Sequence, residues 1–190
     1  WKNKGKIVIV TRIVCRNSAE LTTSTLPGKN NTEFMNRLVA LIKKIPKKEM
    51  YNLCVKLHPG ESGNREEGEC IELYLREKFH SLKIYSSIEI SLSRLLKESK
   101  LAIFTYDGTP FLESMATDYP CLLVFDTSIE PLSNLAKPYY DELSSVGIFH
   151  TSVDSAVKQI EFISKNKSEW WFSEKVLDVK KSFCHQFARR

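Results

Sequence analysis

The sequence predicts an α/β fold: a doubly wound, Rossmann-like parallel sheet of about six strands with helices on both faces, closed by a C-terminal amphipathic helix. Three observations predict it. The β-branched runs, such as "KIVIV" and "PCLLVF", are apolar throughout rather than alternately, as strands covered on both faces must be. Each run is separated from the next by a segment with helical spacing, the alternation that feeds parallel strands. A chain of 190 residues, 42% hydrophobic and 27% charged, has enough apolar mass for one sizeable core.

The elements follow in order. "KIVIVTRIV" (6–14) is the first strand. Phe34, Leu38, Leu41 and Ile45 then recur at helical spacing over 31–45, and Pro46 ends that helix. "YNLCVKL" (51–57) is the second strand, followed by a polar loop and a charged helix over 66–80. "LKIYS" (82–86), "LAIFTY" (101–106), "PCLLVF" (120–125) and "GIFH" (147–150) complete the strands. Helices over 91–99, from the turn after 106 to Thr117, over 131–144 and over 153–165 lie between and after them. The long stretch 15–31 has no periodicity, and loops of that length are commonly functional or disordered. In the tail, Phe172, Val176, Val179, Phe183 and Phe187 form an apolar stripe on a last helix.

Composition narrows the function. The formal charge of +5 is spread over scattered lysines, without the basic stripe or interleaved aromatics of a nucleic-acid binder, so no nucleic acid is expected. A modest positive field suits capture of an anionic small molecule. The five cysteines (Cys15, Cys54, Cys70, Cys121, Cys184) contain no C-x-x-C pair and are expected as reduced thiols of a cytoplasmic protein. The four histidines show no ligand spacing, so no metal site is expected. No apolar stretch approaches the roughly 18 residues that span a bilayer. The start at Trp1 suggests a piece of a longer protein.

In open parallel sheets, ligands bind beyond the carboxyl ends of the strands, where helix N-termini present amides. Three loops are therefore candidates. In "TYDGTPFLE" (105–113), Gly108 permits a tight turn, Asp107 or Thr109 can cap the helix, and Pro110 suits its first turn. Thr109 and Glu113 share a helix face toward the crevice, while Leu112, Met115 and Ala116 turn to the sheet. Free first-turn amides attract phosphate, and a carboxylate one turn on can accept bonds from ribose hydroxyls. In "VKLHPGESGN" (55–64), Lys56 and His58 lie on one side of the strand end, as a solvated terminus or as phosphate contacts. The loop after the first strand holds Arg12, Arg16, Asn17 and Ser18, among which Arg16 is the candidate phosphate clamp. No P-loop, G-x-S-x-G or G-x-G-x-x-G sequence occurs, which argues against NAD.

"KLHP", "SRLLKESKLAIFTYDGTPFLESMATDYPCLLVF" and the "WWF" tail together resemble the C-terminal, donor-binding half of GT-B glycosyltransferases, over roughly residues 51–190. The likeness is nearest to transferases from bacterial surface-carbohydrate gene clusters. More distantly the chain is similar to bacterial sialyltransferases and glycerophosphotransferases, which share a His-Pro motif. The resemblance implies a nucleotide-activated sugar (CMP-, UDP- or GDP-linked) as substrate, with no cofactor. It implies phosphate contacts from His58, Gly108 and Thr109 and a ribose contact from Glu113. "YDGT" stands where sialyltransferases carry paired serines, which leaves the nucleotide open.

The same resemblance implies residues 1–167 as the nucleotide-sugar-binding domain and 168–190 as a C-terminal helix packed on it and on an N-terminal domain. That further domain would bind a glycan or lipid-linked acceptor and carry the catalytic base, so this chain alone would be inactive. The full-length protein would work in the cytoplasm, including peripherally at the inner membrane face, and the C-terminal helix offers a dimer contact. Two alternatives stand beside this reading: half of a sugar-nucleotide 2-epimerase-like enzyme, and a non-catalytic α/β binding domain.

Overall fold

In the computed structural model, residues 5–12, 29–58, 69–86 and 89–188 are described, without the side chains of 29–31, 69–70 and 166–168. The apolar runs become strands β1 (Lys6–Val10), β2 (Leu53–Lys56), β3 (Lys83–Tyr85), β4 (Ser99–Phe104), β5 (Cys121–Val124) and β6 (Phe149–His150). Helices α1 (Lys29–Lys44), α2 (Lys47–Met50), α3 (Glu69–Lys78), α4 (Leu92–Lys97), α5 (Thr109–Ala116) and α6 (Lys137–Ser145) alternate with them, and α7 (Val153–Trp171) and α8 (Glu174–Phe187) follow. Every strand pairing is parallel, in the order β3-β2-β1-β4-β5-β6. The chain therefore runs outward from β1 on one side, crosses back, and runs outward from β4 on the other. That reversal is the topological switch point of a Rossmann-like sheet.

Right-handed crossovers put α1 on one face and α5 and α6 on the other. The first face is completed by α7, which packs on α1, and the second by α8, which packs on α5 and α6. Sandwiched between them, Val8, Ile9, Val55, Ala102, Ile103, Leu122 and Leu123 have no exposed surface. An aromatic chain ties the second face to the sheet: Phe104 meets Phe111 at 5.8 Å, Phe111 meets Phe183 at 5.8 Å, and Phe183 meets Tyr140 at 5.5 Å. Full burial of a side chain such as Phe183 is worth about 1.5–3 kcal/mol.

Several boundaries differ from the sequence expectation, each for a physical reason. β1 ends at Val10, although Thr11 still donates its amide to Lys56 O at 3.1 Å; residues 13 and 14 lie outside the described residues. β4 starts two residues early, because Ser99 pairs with Lys6, and it ends at Phe104 because the Thr105 hydroxyl turns back to Val10 O at 3.0 Å. Pro46 ends α1 and then opens α2, a single turn with no sequence signal of its own. In α5 the buried residues are Phe111, Ser114 and Met115; Ala116 is exposed, contrary to expectation. The helix expected over 131–144 starts only at Lys137, because 131–133 are irregular and 134–136 form a turn.

The largest difference is α7, which continues past 165 to Trp171, through the 167/168 division, so that the tail has its own helix only from Glu174. Phe172 lies between the two helices and is 45% exposed, whereas Val176 and Phe183 are buried. Trp171 is fully buried and donates its indole N–H to Asp118 O at 3.1 Å. The Lys180 ammonium pairs with the Asp118 carboxylate and sits 4.2 Å from the Trp171 ring centroid. Asp118 takes φ 59, a left-handed conformation that only short polar residues adopt readily, and so offers both oxygens to the tail. The C-terminal helix is thus packed on α5 and α6 and clamped to Asp118. Among the described residues, no helix is long and apolar enough to cross a membrane.

Candidate functional site

The carboxyl edge of the sheet at the switch point gathers residues from the ends of β1, β2, β4 and β5. Backbone and hydroxyl bonds tie the first three together there. The Thr11 amide bonds Lys56 O on one side of β1, and the Thr105 amide bonds Val10 O at 3.2 Å on the other. The loops after β2 and β4 consequently meet across the end of β1: the His58 ring stands edge-on to Tyr106, with centroids 6.4 Å apart. Two of the three sequence candidates are therefore one place.

Within it, His58 is half-buried, and burial lowers its pKa, so it enters neutral solution uncharged. A neutral imidazole offers phosphate one N–H donor rather than a positive charge. Lys56 is buried at 4% exposure, and its ammonium donates to Ser86 O at 2.5 Å; burial lowers its pKa, with Glu89 opposing. The Asp107 carboxylate accepts from the Tyr140 hydroxyl; desolvation raises its pKa, and that hydrogen bond works the other way.

The cap of α5 also corrects the sequence expectation. Gly108, not Thr109 or Asp107, is the N-cap, and no side chain caps the helix. Thr109 and Pro110 open its first turn; Pro110 has no amide hydrogen and Phe111 donates to Gly108 O at 2.9 Å, so the free amides there are those of Gly108 and Thr109. Gly108 is required for space rather than for its backbone angles. A Cβ there would come within 2.4 Å of the Tyr106 ring, the same ring that meets His58. Thr109 and Glu113 are both exposed, one turn apart on the outer side of α5. Arg16, the third candidate, lies outside the described residues.

A second group stands at this edge, of which the sequence reading named Arg12 but not its partners Arg37, Asp126 and Glu130. Arg12, just past β1, is 6% exposed and donates to Glu130 at 2.7 Å while its guanidinium lies 4.5 Å from the Phe34 ring centroid. Its Nε and Nη2 have no hydrogen-bond partner among the described residues. Beside it Arg37 of α1 pairs with Asp126 and donates to Thr151 O at 2.7 Å. Desolvation raises the pKa of Glu130, with Arg12 and Arg37 opposing, and burial lowers that of Arg12. Hydrogen bonds from Ser128, supported by Arg37, lower the pKa of Asp126. A cavity of about 30 Å³ opens among Arg12, Arg37, Thr105, Asp126 and Glu130, with Phe34 and Leu38 as its apolar wall. It admits about one water or one oxygen of a larger group, so a nucleotide would touch it and not fill it.

The positional rule that selected "TYDGT" applies equally to "FDTSIE" after β5, which holds Asp126 and Glu130. Arg37 was visible as a cation adjoining Phe34, Leu38 and Leu41 on the buried stripe of α1.

A six-stranded parallel sheet of this order defines a Rossmann-like α/β protein, with the candidate site at the carboxyl ends of β1, β2, β4 and β5. The whole chain, residues 1–190, matches the family model described as LIC12162 family transferase, and the protein belongs to that family of transferases. No curated protein matches it.

Proposed function

We propose that this protein is the donor-binding half of a glycosyltransferase of bacterial surface polysaccharide or glycan synthesis, and that it takes a CMP-, UDP- or GDP-linked sugar at the switch-point edge. The observation that carries the reading is Arg12. A guanidinium 6% exposed with two nitrogens unpartnered among the described residues is costly unless an anion completes it. The Gly108 and Thr109 amides at the start of α5, with the helix dipole, favour the same phosphate. His58 supplies a neutral donor, Lys56 a fixed positive charge behind it, and Glu113 accepts from the ribose hydroxyls.

In the transfer, an acceptor hydroxyl oxygen bonds to the anomeric carbon as the bond from that carbon to the phosphate oxygen breaks. The nucleotide leaves with the electron pair, and its growing negative charge is stabilised by Arg12 and the α5 amides. The acceptor proton passes to a base on a second domain, which also holds the glycan or lipid-linked acceptor. Titration calorimetry with CMP, CDP, UDP and GDP tests the reading. At least one is expected to bind at sub-millimolar concentration, and Arg12→Ala is expected to weaken it more than tenfold. Absence of binding by all four at millimolar concentration sinks the proposal.

A further inference from the structure

The sheet ends at β6, and beyond it lies a groove of about 500 Å³ bounded by the C-terminus of α6, by α7 and by the start of α8. None of its lining residues lines the cavity beside Arg12, so it is a separate place in the fold. Its volume falls within the roughly 300–1,000 Å³ of small-molecule sites.

The groove is built, not incidental. α6 closes with a Schellman turn, in which Gly147 at φ +74 donates to Ser144 O at 3.1 Å and Ile148 donates to Leu143 O at 2.9 Å. A Cβ on Gly147 would come within 2.8 Å of the Gln159 side chain, so glycine keeps the wall open beside that amide. Trp170 forms another wall: its indole N–H is spent on Val146 O at 2.8 Å, which fixes the ring and leaves it no donor to offer. His150 is likewise spent inside the wall, its Nε2 on Gly147 O at 3.1 Å and its Nδ1 against Ser155 Oγ at 3.2 Å. What remains toward the opening is the Phe162 ring at 47% exposure, the Gln159 amide, the Ser144 hydroxyl and the Lys175 ammonium. Neither Gln159 nor Lys175 has a side-chain partner among the described residues.

These groups select a ligand class. Amide and hydroxyl groups both donate and accept, and they match a molecule whose own groups do both. An exposed aromatic ring beside them offers a flat apolar face for stacking. Sugar rings combine the two. The described lining carries no carboxylate, and Lys175 is its one amine, standing in the first turn of α8, where the helix dipole also favours an anion, against the carboxylates of Glu174 and Asp178 on the same helix. We infer that this groove binds a short oligosaccharide, stacked on Phe162, hydrogen-bonded by Gln159 and holding an acidic group at Lys175. The inference stands independently of the nucleotide reading.

An array of immobilised neutral and acidic di- to tetrasaccharides, probed with the labelled chain, tests it. Acidic oligosaccharides are expected to be retained, with Phe162→Ala and Gln159→Ala each weakening retention tenfold or more. Lys175→Gln is expected to remove the preference for acidic over neutral sugars while leaving neutral ones held. All three variants change exposed or half-exposed groups, so their melting temperatures are expected to stay with the parent, and their nucleotide titrations to match it. No retention by the parent chain, or retention unchanged by both Phe162→Ala and Gln159→Ala, overturns the inference. Loss of nucleotide binding in the same variants would also overturn it, by showing that the groove is not a separate site.

Discussion

Arg12 and Lys180 are equally buried cations, each 6% exposed, in regions that use them oppositely. At the α7–α8 corner, Lys180 has an ion pair with Asp118 and an aromatic face in Trp171, and Trp171 itself is hydrogen-bonded to Asp118. At the carboxyl edge, Arg12 has one partner in Glu130, stacks on Phe34, and leaves two nitrogens unpartnered among the described residues. Burial is the same and satisfaction is not. The corner is finished by the chain itself, whereas the edge leaves guanidinium donors open among the described residues.

Substitutions can break that contrast, beginning with the largest effect. Trp171→Ala removes a fully buried indole and the hydrogen bond that holds Asp118, and is expected to cost about 3–5 kcal/mol in urea unfolding. A loss under about 1 kcal/mol would mean that the corner does not carry the tail. Lys180→Met leaves Asp118 unpaired but half-exposed to solvent, with an expected cost of about 1–2 kcal/mol. Arg12→Met retains the apolar contact with Phe34 and removes a guanidinium with two nitrogens unpartnered among the described residues, but leaves Glu130 with Arg37 alone of its two cations. Its cost is therefore expected at about 1 kcal/mol, below that of Lys180→Met. If the two methionine variants prove equally unstable, Arg12 is a structural cation like Lys180, and the contrast fails.

The smallest effect is in pH. His150 is buried, and desolvation lowers its pKa while the Gly147 carbonyl opposes; His58 is lowered by burial as well. The unfolded chain therefore binds more protons near these groups' ordinary value of about 6.5. Their contribution to stability is complete above that value and is lost as pH falls through it toward the lower folded values. Melting temperature is expected to be level from about pH 7.5 upward and to decline below about 6.5. His150→Gln should shallow that decline, and an unchanged slope would remove His150 as its source.

Much of the fold was legible because it depends on local composition. Runs such as "KIVIV" and "CLLV" are short, apolar throughout and bounded by polar residues, as strands buried on both sides are, and their alternation with helices points to a parallel sheet. Strand order was not legible, since nothing local says that β1 pairs with β4. α7 was cut short because its stretch at 165–169 is polar, although a helix continues through such a stretch when the next turn, Trp170 and Trp171, is anchored by packing. At the candidate site, the loops after β2 and β4 could be picked out by position. Arg37, Asp126 and Glu130 could not be tied to Arg12, because their association is made by tertiary contact between α1 and the β5 loop. The cap of α5 was misassigned for a related reason. Thr109 has the chemistry of an N-cap, but the Tyr106 ring lies over the position before it, where glycine alone fits.

The place of β1 at the sheet centre also governs the order in which the molecule can be made. Its neighbours are β2 and, far later in the chain, β4. During synthesis the side of β1 that will receive β4 waits with its backbone groups unpaired, a template for any other strand it meets. Pairing across so long a separation is slow in its own right. The central strand thus stays half-paired until residues 99–104 have been made, and the nascent chain is exposed to misassociation before β4 arrives.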